Sequence, residues 1–291
     1  MFDLATSRSR RPRHRQGLTS FECRLVPVVV MLVLTAVVAR AQPPRDAAEV
    51  KLIAHRGGVV EDGLIENQLP ALNAAVKRGY WMVEVDVRES KDGHLVVQHD
   101  PNFKRYYGDP RQVGEMTWGE IRQLRSRESG LRPLEFAEYA KACRGRMRVM
   151  IDTKEPSHDK RFYEAMERAL KENQLLHDAL LIGTREAKAY FKGKARVAVN
   201  RKELQAAISG QEQEDVGRLY FLFEHGRVLD EPTVRLARQH GVPVVPSINV
   251  FHYLGRKNQR QRAEADLQRL RDLGVEYFQI DSVYDRVLRG K

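Results

Sequence analysis

From residue 50 onward, short apolar runs rich in β-branched residues alternate with longer segments whose apolar positions recur at helical spacing. The strand-like runs are eight in number, at 50–54, 81–87, 147–151, 179–182, 196–199, 219–223, 243–248 and 275–280. Helical segments lie between them at 67–78, 158–173, 232–240 and 262–273, and three of these end at Gly79, Gly241 or Gly274. This alternation is typical of βα units, so it predicts an α/β fold, a (β/α)₈ TIM barrel. A doubly wound open sheet is disfavoured because no Gly-x-Gly-x-x-Gly motif follows the first strand.

One stretch interrupts the alternation between the second and third predicted strands. Residues 94–99 follow a Lys91-Asp92-Gly93 turn and predict an extra hairpin strand. Residues 101–132 are rich in Gly, Pro, Arg and Tyr, and they predict a small insertion after the second strand. The resulting organisation is a barrel domain at 50–291, preceded by a linker at 42–49.

Residues 1–41 have the pattern of a secretory signal peptide. An arginine-rich segment precedes an apolar stretch at 25–38, and Ala39-Arg40-Ala41 fits the small-x-small pattern that predicts cleavage after Ala41. The apolar stretch is shorter than the roughly 20 residues that span a bilayer, so an uncleaved membrane anchor is the minor alternative. We therefore expect a secreted or periplasmic protein. Removal of 1–41 leaves Cys143 as the remaining cysteine, which excludes an internal disulfide.

The net charge is less extreme once the predicted signal peptide is set aside. The whole chain carries +11, but residues 1–41 contain seven Arg against Asp3 and Glu22, which leaves +6 for the remainder. This excess is too small and too dispersed for a nucleic-acid-binding protein. It is enough to attract a phosphate-bearing small molecule or to favour transient contact with an anionic membrane surface, and it implies no protein partner.

Titratable side chains cluster where the predicted strands end. They are His55 and Arg56 after the first strand, Glu84 and Asp86 near the end of the second, His99 after the extra strand, and Asp152 and Lys154 at the end of the third. Barrels of this kind carry their active sites at the carboxyl ends of the strands, so we expect these groups on one rim. Glu84 and Asp86 share a face of their strand, where two buried carboxylates are costly without a cation partner.

These residue types suit a divalent cation together with proton transfer. Carboxylate oxygens from Glu84, Asp86 and Asp152 fit Ca²⁺ or Mg²⁺ better than Zn²⁺, and the histidines remain available as acid and base. The structural alternatives are a solvent-facing Glu-x-Asp pair, ordinary loop histidines and a helix-capping Asp152; convergence on one rim argues against them. Glu66 either contacts the site, as a candidate substrate-binding residue, or caps the following helix together with Asn67.

The first half of the predicted barrel also carries short motifs in a specific order. They are Ala54-His55-Arg56-Gly57-Gly58, Glu66-Asn67, Pro70-Ala71, Glu84-Val85-Asp86, Asp92-Gly93 and Val96-Val97-Gln98-His99-Asp100. In order and spacing these motifs resemble the glycerophosphodiester phosphodiesterase family, and the resemblance extends over residues 50–285. It implies a phospholipase-C-like barrel that cleaves a glycerophosphodiester into sn-glycerol 3-phosphate and an alcohol with one Ca²⁺ or Mg²⁺.

The resemblance also implies a role for most of the residues at the rim. His55 and His99 form the general acid/base pair, Glu84 and Asp86 bind the metal, and Arg56 and Lys154 hold the phosphate. Asp152 as a third metal ligand and Glu66 as a substrate contact rest on the residues themselves and not on the resemblance.

The chain departs from the family pattern at two strand ends. Asp152-Thr153-Lys154 stands where members usually carry Glu-x-Lys, and Asn249 and Phe251 stand where others place a Trp. The shorter acid, the positive charge and the Tyr106-Tyr107 pair favour a first alternative, a lysophospholipase D or sphingomyelinase D-like enzyme. A second alternative, a non-catalytic phosphate-binding barrel, predicts a missing histidine or carboxylate. Asp281, after the eighth strand, is interpreted as structural.

Overall fold

Parallel strands and the helices between them form a closed barrel in a computed structural model, which describes residues 49–61, 63–155, 158–210 and 215–289. The predicted signal peptide and most of the linker at 42–49 lie outside the described residues. Within those ranges, no helix combines the length and the apolar character needed to cross a membrane.

The strands and helices have the following bounds. In the described part of the chain the strands are β1 (Lys51–Ala54), β2 (Met82–Glu89), β3 (Leu95–Val97), β4 (Asn102–Phe103), β5 (Asp109–Gln112), β6 (Leu134–Glu135), β7 (Arg148–Thr153), β8 (Leu180–Leu181), β9 (Arg196–Val199), β10 (Tyr220–His225), β11 (Val244–Ile248) and β12 (Tyr277–Ile280). The α-helices are α1 (Leu69–Lys77), α2 (Lys104–Tyr107), α3 (Trp118–Ile121), α4 (Phe136–Cys143), α5 (Lys160–Glu172), α6 (Arg185–Phe191), α7 (Arg201–Ser209), α8 (Val216–Leu219), α9 (Glu231–Gln239), α10 (Gln259–Asp272) and α11 (Asp285–Arg289).

Strand β1 closes the barrel. It pairs in parallel with β2 on one side, where Ile53 lies opposite Met82, and with β12 on the other, where Leu52 lies opposite Phe278. The remaining strands follow in the order β12, β11, β10, β9, β8, β7 and β2. The prediction of an eight-stranded (β/α)₈ barrel is therefore confirmed.

The helix ends follow the local sequence signals. The predicted stops at Gly79, Gly241 and Gly274 have φ values of +68°, +67° and +77°, a conformation that favours glycine. Asp159 and Asp230 begin α5 and α9 by accepting hydrogen bonds from backbone N–H groups of the first turn. Local sequence signals thus mark one or both ends of α1, α5, α9 and α10.

The alternation of side chains along the strands separates two apolar regions. The odd-numbered valines of β2, Val83, Val85 and Val87, face outward into the layer between the barrel and the helices. The barrel interior holds a second cluster, formed by Ile53, Met82, Met150, Leu180, Ile182, Ala198, Phe221 and Val245. Glu84 and Asp86 continue the inward-facing row that begins at Met82. The barrel interior therefore changes from apolar to polar towards the carboxyl ends of the strands.

The insertion after the second strand extends the sheet and carries a small core. β3 pairs antiparallel with β2, as the hairpin prediction requires, and β6 pairs antiparallel with β3. β4 and β5 form a separate antiparallel pair. An apolar cluster packs between β3 and the insertion and is formed by Val96, Phe103, Val113, Met116 and Ile121.

The turn after β1 depends on glycine. Gly58 has a φ of +143°, and a Cβ atom at this position would lie 2.2 Å from the backbone oxygen of Ala71 in α1. The same approach allows the Val59 N–H to donate a hydrogen bond to that oxygen at 3.1 Å. Close backbone contact thus holds α1 against the turn that carries His55 and Arg56.

Gly58→Ala should lower the free energy of unfolding by at least about 2 kcal/mol, since the substitution adds both backbone strain and a clash with backbone atoms. Urea denaturation measures this difference. Gly119→Ala is the matched control: Gly119 lies in α3 without a positive φ, and its added Cβ meets nothing closer than 3.8 Å. An equal loss in both variants would contradict the importance of the close approach.

Candidate active site

The turn at the end of β1 places His55 and Arg56 at the mouth of the barrel. Arg56 adopts a left-handed backbone conformation, with φ 54° and ψ 49°, that few non-glycine residues adopt. Its N–H donates to Glu84 Oε2 at 2.8 Å, and its carbonyl oxygen accepts from the Asn67 N–H at 2.8 Å. The turn is therefore tied to both β2 and the segment before α1.

His55 is held by an aspartate from the opposite end of the sequence. Its Nδ1 lies 2.6 Å from Asp281 Oδ1, and the second oxygen of Asp281 accepts the Val250 N–H at 2.6 Å. Burial favours a raised pKa for Asp281, but the hydrogen bond and charge of His55 lower the pKa below its ordinary value. The other ring nitrogen, Nε2, lies 3.9 Å from Glu84 Oε2. Asp281, which the sequence indicated as structural, thus contacts a candidate catalytic histidine directly.

The three candidate metal-binding carboxylates lie together. Glu84, Asp86 and Asp152 each offer an oxygen within 4.8 Å of the others, and Asp86 and Asp152 are paired residues of β2 and β7. Lys154 lies among them, with Nζ 2.7 Å from Asp86 Oδ1 and 2.5 Å from Asp152 Oδ2. Asn67 completes the group by donating from Nδ2 to Asp86 Oδ2 at 2.8 Å.

Burial dominates the electrostatics of this cluster. It raises the pKa of Glu84 well above its ordinary value, and the neighbouring charge of Asp86 acts in the same direction. Burial also raises the pKa of Asp152. For Asp86, the Lys154 charge and the Asn67 hydrogen bond outweigh burial and lower the pKa to about 2. The same carboxylates raise the pKa of Lys154 despite its own burial, so its ammonium group stays charged.

The cluster fits a hard divalent cation. Three carboxylates face one ammonium group, so negative charge remains to be neutralised when all of them are ionised. Oxygen ligands in such a set are those that Ca²⁺ and Mg²⁺ prefer. No histidine nitrogen belongs to this group of described residues, and the donor chemistry therefore gives no preference for zinc.

His99 is oriented by contacts on both ring nitrogens. Nδ1 lies 2.9 Å from Asp100 Oδ1, and Nε2 lies 3.2 Å from Arg56 Nη2. A guanidinium group only donates, so Nε2 accepts this hydrogen bond and Nδ1 carries the proton that Asp100 accepts. The His99 carbonyl oxygen accepts from Arg88 Nε at 3.0 Å, which fixes the backbone as well.

Glu66 contacts the site instead of capping a helix. It is buried, with only 5% of its surface exposed, and its Oε2 accepts from Arg56 Nη1 at 2.9 Å and Arg105 Nη1 at 3.3 Å. Gln68 precedes α1 without any side-chain capping bond. Of the two interpretations open for Glu66, the structure supports the contact with the site.

A cavity of about 310 Å³ at the mouth brings most of the predicted residues together. His55, Arg56, Glu84, His99, Asp152 and Lys154 all line it. Asp86 lies behind Lys154, and Glu66 lines an adjoining groove. Another wall of the cavity is aromatic and polar, and it comes from β10 and from the segment after β11: Phe223, His225, Asn249, Phe251 and His252.

Two histidines of this wall were not identified from the sequence. The rings of His225 and His252 lie 3.9 Å apart, and burial, followed by the charges of His225 and His55, lowers the pKa of His252 to about 4. His252 is therefore neutral at ordinary pH. Their positions in the sequence could have indicated them, since His225 ends β10 and His252 follows β11.

The sequence is similar to one protein family and to several curated proteins. Residues 55–263 match the model of the glycerophosphoryl diester phosphodiesterase family. A human lysophospholipase D is 39% identical over 71 residues, which cover 24% of this chain and 22% of that protein. A glycerophosphodiester phosphodiesterase of Caldanaerobacter subterraneus is 38% identical over 73 residues, or 25% of this chain and 29% of that protein. The chain thus spans less than a third of the length of these curated relatives.

Solved structures match over more of the chain. A glycerophosphodiester phosphodiesterase from Agrobacterium tumefaciens is 21% identical, with a TM-score of 0.62 over 80% of this chain and 96% of that chain. An Oleispira antarctica phosphodiesterase in complex with the product sn-glycerol-3-phosphate is 20% identical, with a TM-score of 0.64 over 82% and 97%. At this identity the structures establish the shared barrel fold. Because the family model matches more than half of the sequence and includes the histidine, arginine and carboxylates at the mouth, the chain belongs to the glycerophosphoryl diester phosphodiesterase family.

Proposed function

We propose that this chain is a metal-dependent phosphodiesterase that hydrolyses glycerophosphodiesters to sn-glycerol 3-phosphate and an alcohol. One observation carries the proposal. His55 and His99 each have Nδ1 next to a carboxylate, Asp281 or Asp100, while both rings line the cavity that contains Arg56. This is an arrangement for two-sided proton transfer next to a cationic group.

In the proposed reaction the two histidines divide the proton transfers. One takes the proton from the attacking group, a water molecule or a neighbouring hydroxyl of the glycerol, and the other protonates the oxygen of the leaving alcohol. With the glycerol hydroxyl as nucleophile the product is a cyclic phosphate, which water then opens to sn-glycerol 3-phosphate. Asp281 and Asp100 keep each ring in one orientation and stabilise its protonated form, as a carboxylate does for an active-site imidazole. Both histidines and all three carboxylates are present, which disfavours the alternative of a non-catalytic phosphate-binding barrel.

Arg56 and Lys154 are proposed to hold the phosphate. Arg56 lies between Glu66 and His99, so its guanidinium group is already oriented in the cavity. A phosphodiester bound there accepts hydrogen bonds from groups that stay charged at any ordinary pH. Both cations would stabilise the charge that develops on the phosphoryl oxygens.

Glu84, Asp86 and Asp152 would hold one Ca²⁺ or Mg²⁺. When bound, such an ion acts as a Lewis acid that draws charge from a phosphoryl oxygen. The raised pKa of Glu84 and of Asp152 supports this role, because burial and the neighbouring carboxylates disfavour the charged form of each group, and a bound cation would favour it. Lys154 partly neutralises the cluster and keeps the remaining ligands close together.

We also propose that the protein acts outside the cytoplasm after cleavage behind Ala41. The basis is the sequence pattern of residues 1–41. Cys143 is buried in α4 as a free thiol, so the fold of the barrel needs no disulfide in an oxidising compartment. The small positive excess of the mature chain would favour transient contact with an anionic membrane surface.

His55→Ala and His99→Ala should each reduce kcat/KM for glycerophosphocholine by at least about 10²-fold, because general acid–base groups contribute on this scale. Enzyme-coupled detection of sn-glycerol 3-phosphate measures the rate. His177→Ala is the matched control, since the His177 side chain is fully exposed, 100% of its surface, away from the cavity. Near-normal turnover in either active-site variant would rule out the two-histidine mechanism.

Asp281→Asn should lower kcat by about 10²-fold with little change in KM, because an amide cannot stabilise the protonated His55 ring as a carboxylate does. A lower kcat with an unchanged KM, together with a shifted pH profile of kcat, distinguishes this positioning role from a general loss of folded protein. Asp178→Asn provides a control at an aspartate beside the exposed His177. A normal pH profile and kcat in Asp281→Asn would remove Asp281 from the mechanism.

Removal of divalent cations by a chelator should abolish turnover, and adding back Ca²⁺ or Mg²⁺ should restore it. Calorimetric titration should detect one site, lost in Glu84→Gln and weakened in Asp152→Asn. Glu89→Gln is the control, because Glu89 ends β2 but pairs with His158 outside the cluster. Full activity after chelation, or unchanged binding in Glu84→Gln, would contradict the assignment of the ligands.

A further inference from the structure

His99 lies on the connection between β3 and β4, outside the helices and strands. Backbone hydrogen bonds hold both ends of this connection. The Gln98 N–H donates to the Asp86 oxygen at 3.1 Å, and the Val113 N–H donates to the Pro101 oxygen at 2.9 Å. The position of His99 therefore depends on the contacts that its own backbone makes between these two ends.

The side chain of Arg88 holds the His99 backbone at this point. Arg88 lies on β2, and its Nε and Nη2 donate to the His99 carbonyl oxygen at 3.0 Å and 2.5 Å. Arg88 is buried, so little water competes for these bonds. Two donors of one planar guanidinium group fix the direction of a carbonyl as well as its distance. The strand that carries Glu84 and Asp86 thereby also locates His99.

Glu155 binds the other edge of the same guanidinium group. Its Oε1 accepts a hydrogen bond from Arg88 Nη1, and the two side chains form an ion pair. A buried cation without an anionic partner is costly, so this carboxylate stabilises the guanidinium group in the orientation that reaches His99. Glu155 directly follows Lys154, one of the groups proposed to hold the phosphate. Arg88 thus connects the segment after β7 with the segment that carries the histidine.

We propose that Arg88 and Glu155 form a positioning pair that sets the place of His99 relative to the bound phosphodiester. The inference rests on the proposed phosphodiesterase function, in which His99 transfers a proton. Neither Arg88 nor Glu155 lines the cavity, so both act through the His99 backbone. Proton transfer requires a close and aligned donor and acceptor, and a displacement of about 1 Å can cost about 10²-fold in rate.

Arg88→Ala should lower kcat for glycerophosphocholine by about 10²-fold with little change in KM, because proton transfer is impaired while the phosphate-binding groups remain. The assay uses the full-length protein with Ca²⁺ and Mg²⁺, and rates are expressed per folded molecule, with the folded fraction taken from circular dichroism. Arg78→Ala is the matched control, because Arg78 forms ion pairs with Glu61 and Asp285 outside the cavity. This control should lose stability and keep kcat.

A double-mutant cycle tests whether Glu155 acts through Arg88. Glu155→Ala should lower kcat by about 10-fold, since Arg88 remains but loses the partner that orients it. In the Arg88→Ala background the same substitution should lower kcat no further. Two residues that acted separately would instead show effects that multiply.

Arg88→Lys decides the question if Arg88→Ala does not fold. The ammonium group keeps the charge next to Glu155, but it lacks the planar fork that reaches the His99 carbonyl and the carboxylate together. We expect this variant to fold and its kcat to fall by about 10-fold, again with little change in KM.

The outcomes separate this proposal from the proposed function. Active wild-type protein with an unchanged kcat in a folded Arg88 variant overturns the positioning role and leaves the phosphodiesterase function intact. A loss of kcat that Arg78→Ala shares, or effects of Arg88→Ala and Glu155→Ala that multiply, overturns the positioning pair as well. Absence of hydrolysis by the wild-type protein overturns the phosphodiesterase function and, with it, the role of His99 on which the pair depends.

Discussion

Burial of the Glu84 and Asp86 carboxylates inside the barrel is the constraint on which the rest of the site depends. Charged oxygens removed from water need cations or N–H donors, and each donor here comes from a different element. Lys154 follows β7, Asn67 precedes α1, and the Arg56 N–H belongs to the turn after β1. Loss of one partner from such a group leaves an uncompensated buried charge, which typically costs about 3–5 kcal/mol. Stability and chemistry at this end of the barrel therefore rest on the same contacts.

Inside the barrel, the buried carboxylates lie apart from the apolar side chains that pack beneath them. Met82 and Met150 lie in the apolar part of the interior, and two residues further along the same strands Glu84 and Asp152 enter the polar part. The period-two alternation of β2 and β7 thus builds both layers from one row of side chains. Packing of the apolar interior cluster stabilises the register between β2 and β7. This register determines the distances among Glu84, Asp86 and Asp152.

Much of this arrangement could be predicted because strand ends are visible in the sequence. The run of apolar residues in β2 identified Glu84 and Asp86 as an unusual inward-facing pair, and glycine stops marked the helix ends. Asp281 could not be identified in this way, since an aspartate after a strand resembles any loop aspartate until its partner is known. His55, its partner, lies 226 positions earlier in the chain. The contact between Glu66 and Arg56 could not be predicted either, because it depends on the left-handed turn at Arg56.

The contact between His55 and Asp281 joins the first barrel strand to the last. The carboxylate cluster and His99 come from elements that precede α10 in the chain, whereas the carboxylate that orients His55 follows β12. The orienting carboxylate arrives only when β12 pairs with β1 and the ring of strands is complete. Under the proposed mechanism, proton transfer by His55 would therefore require a closed barrel.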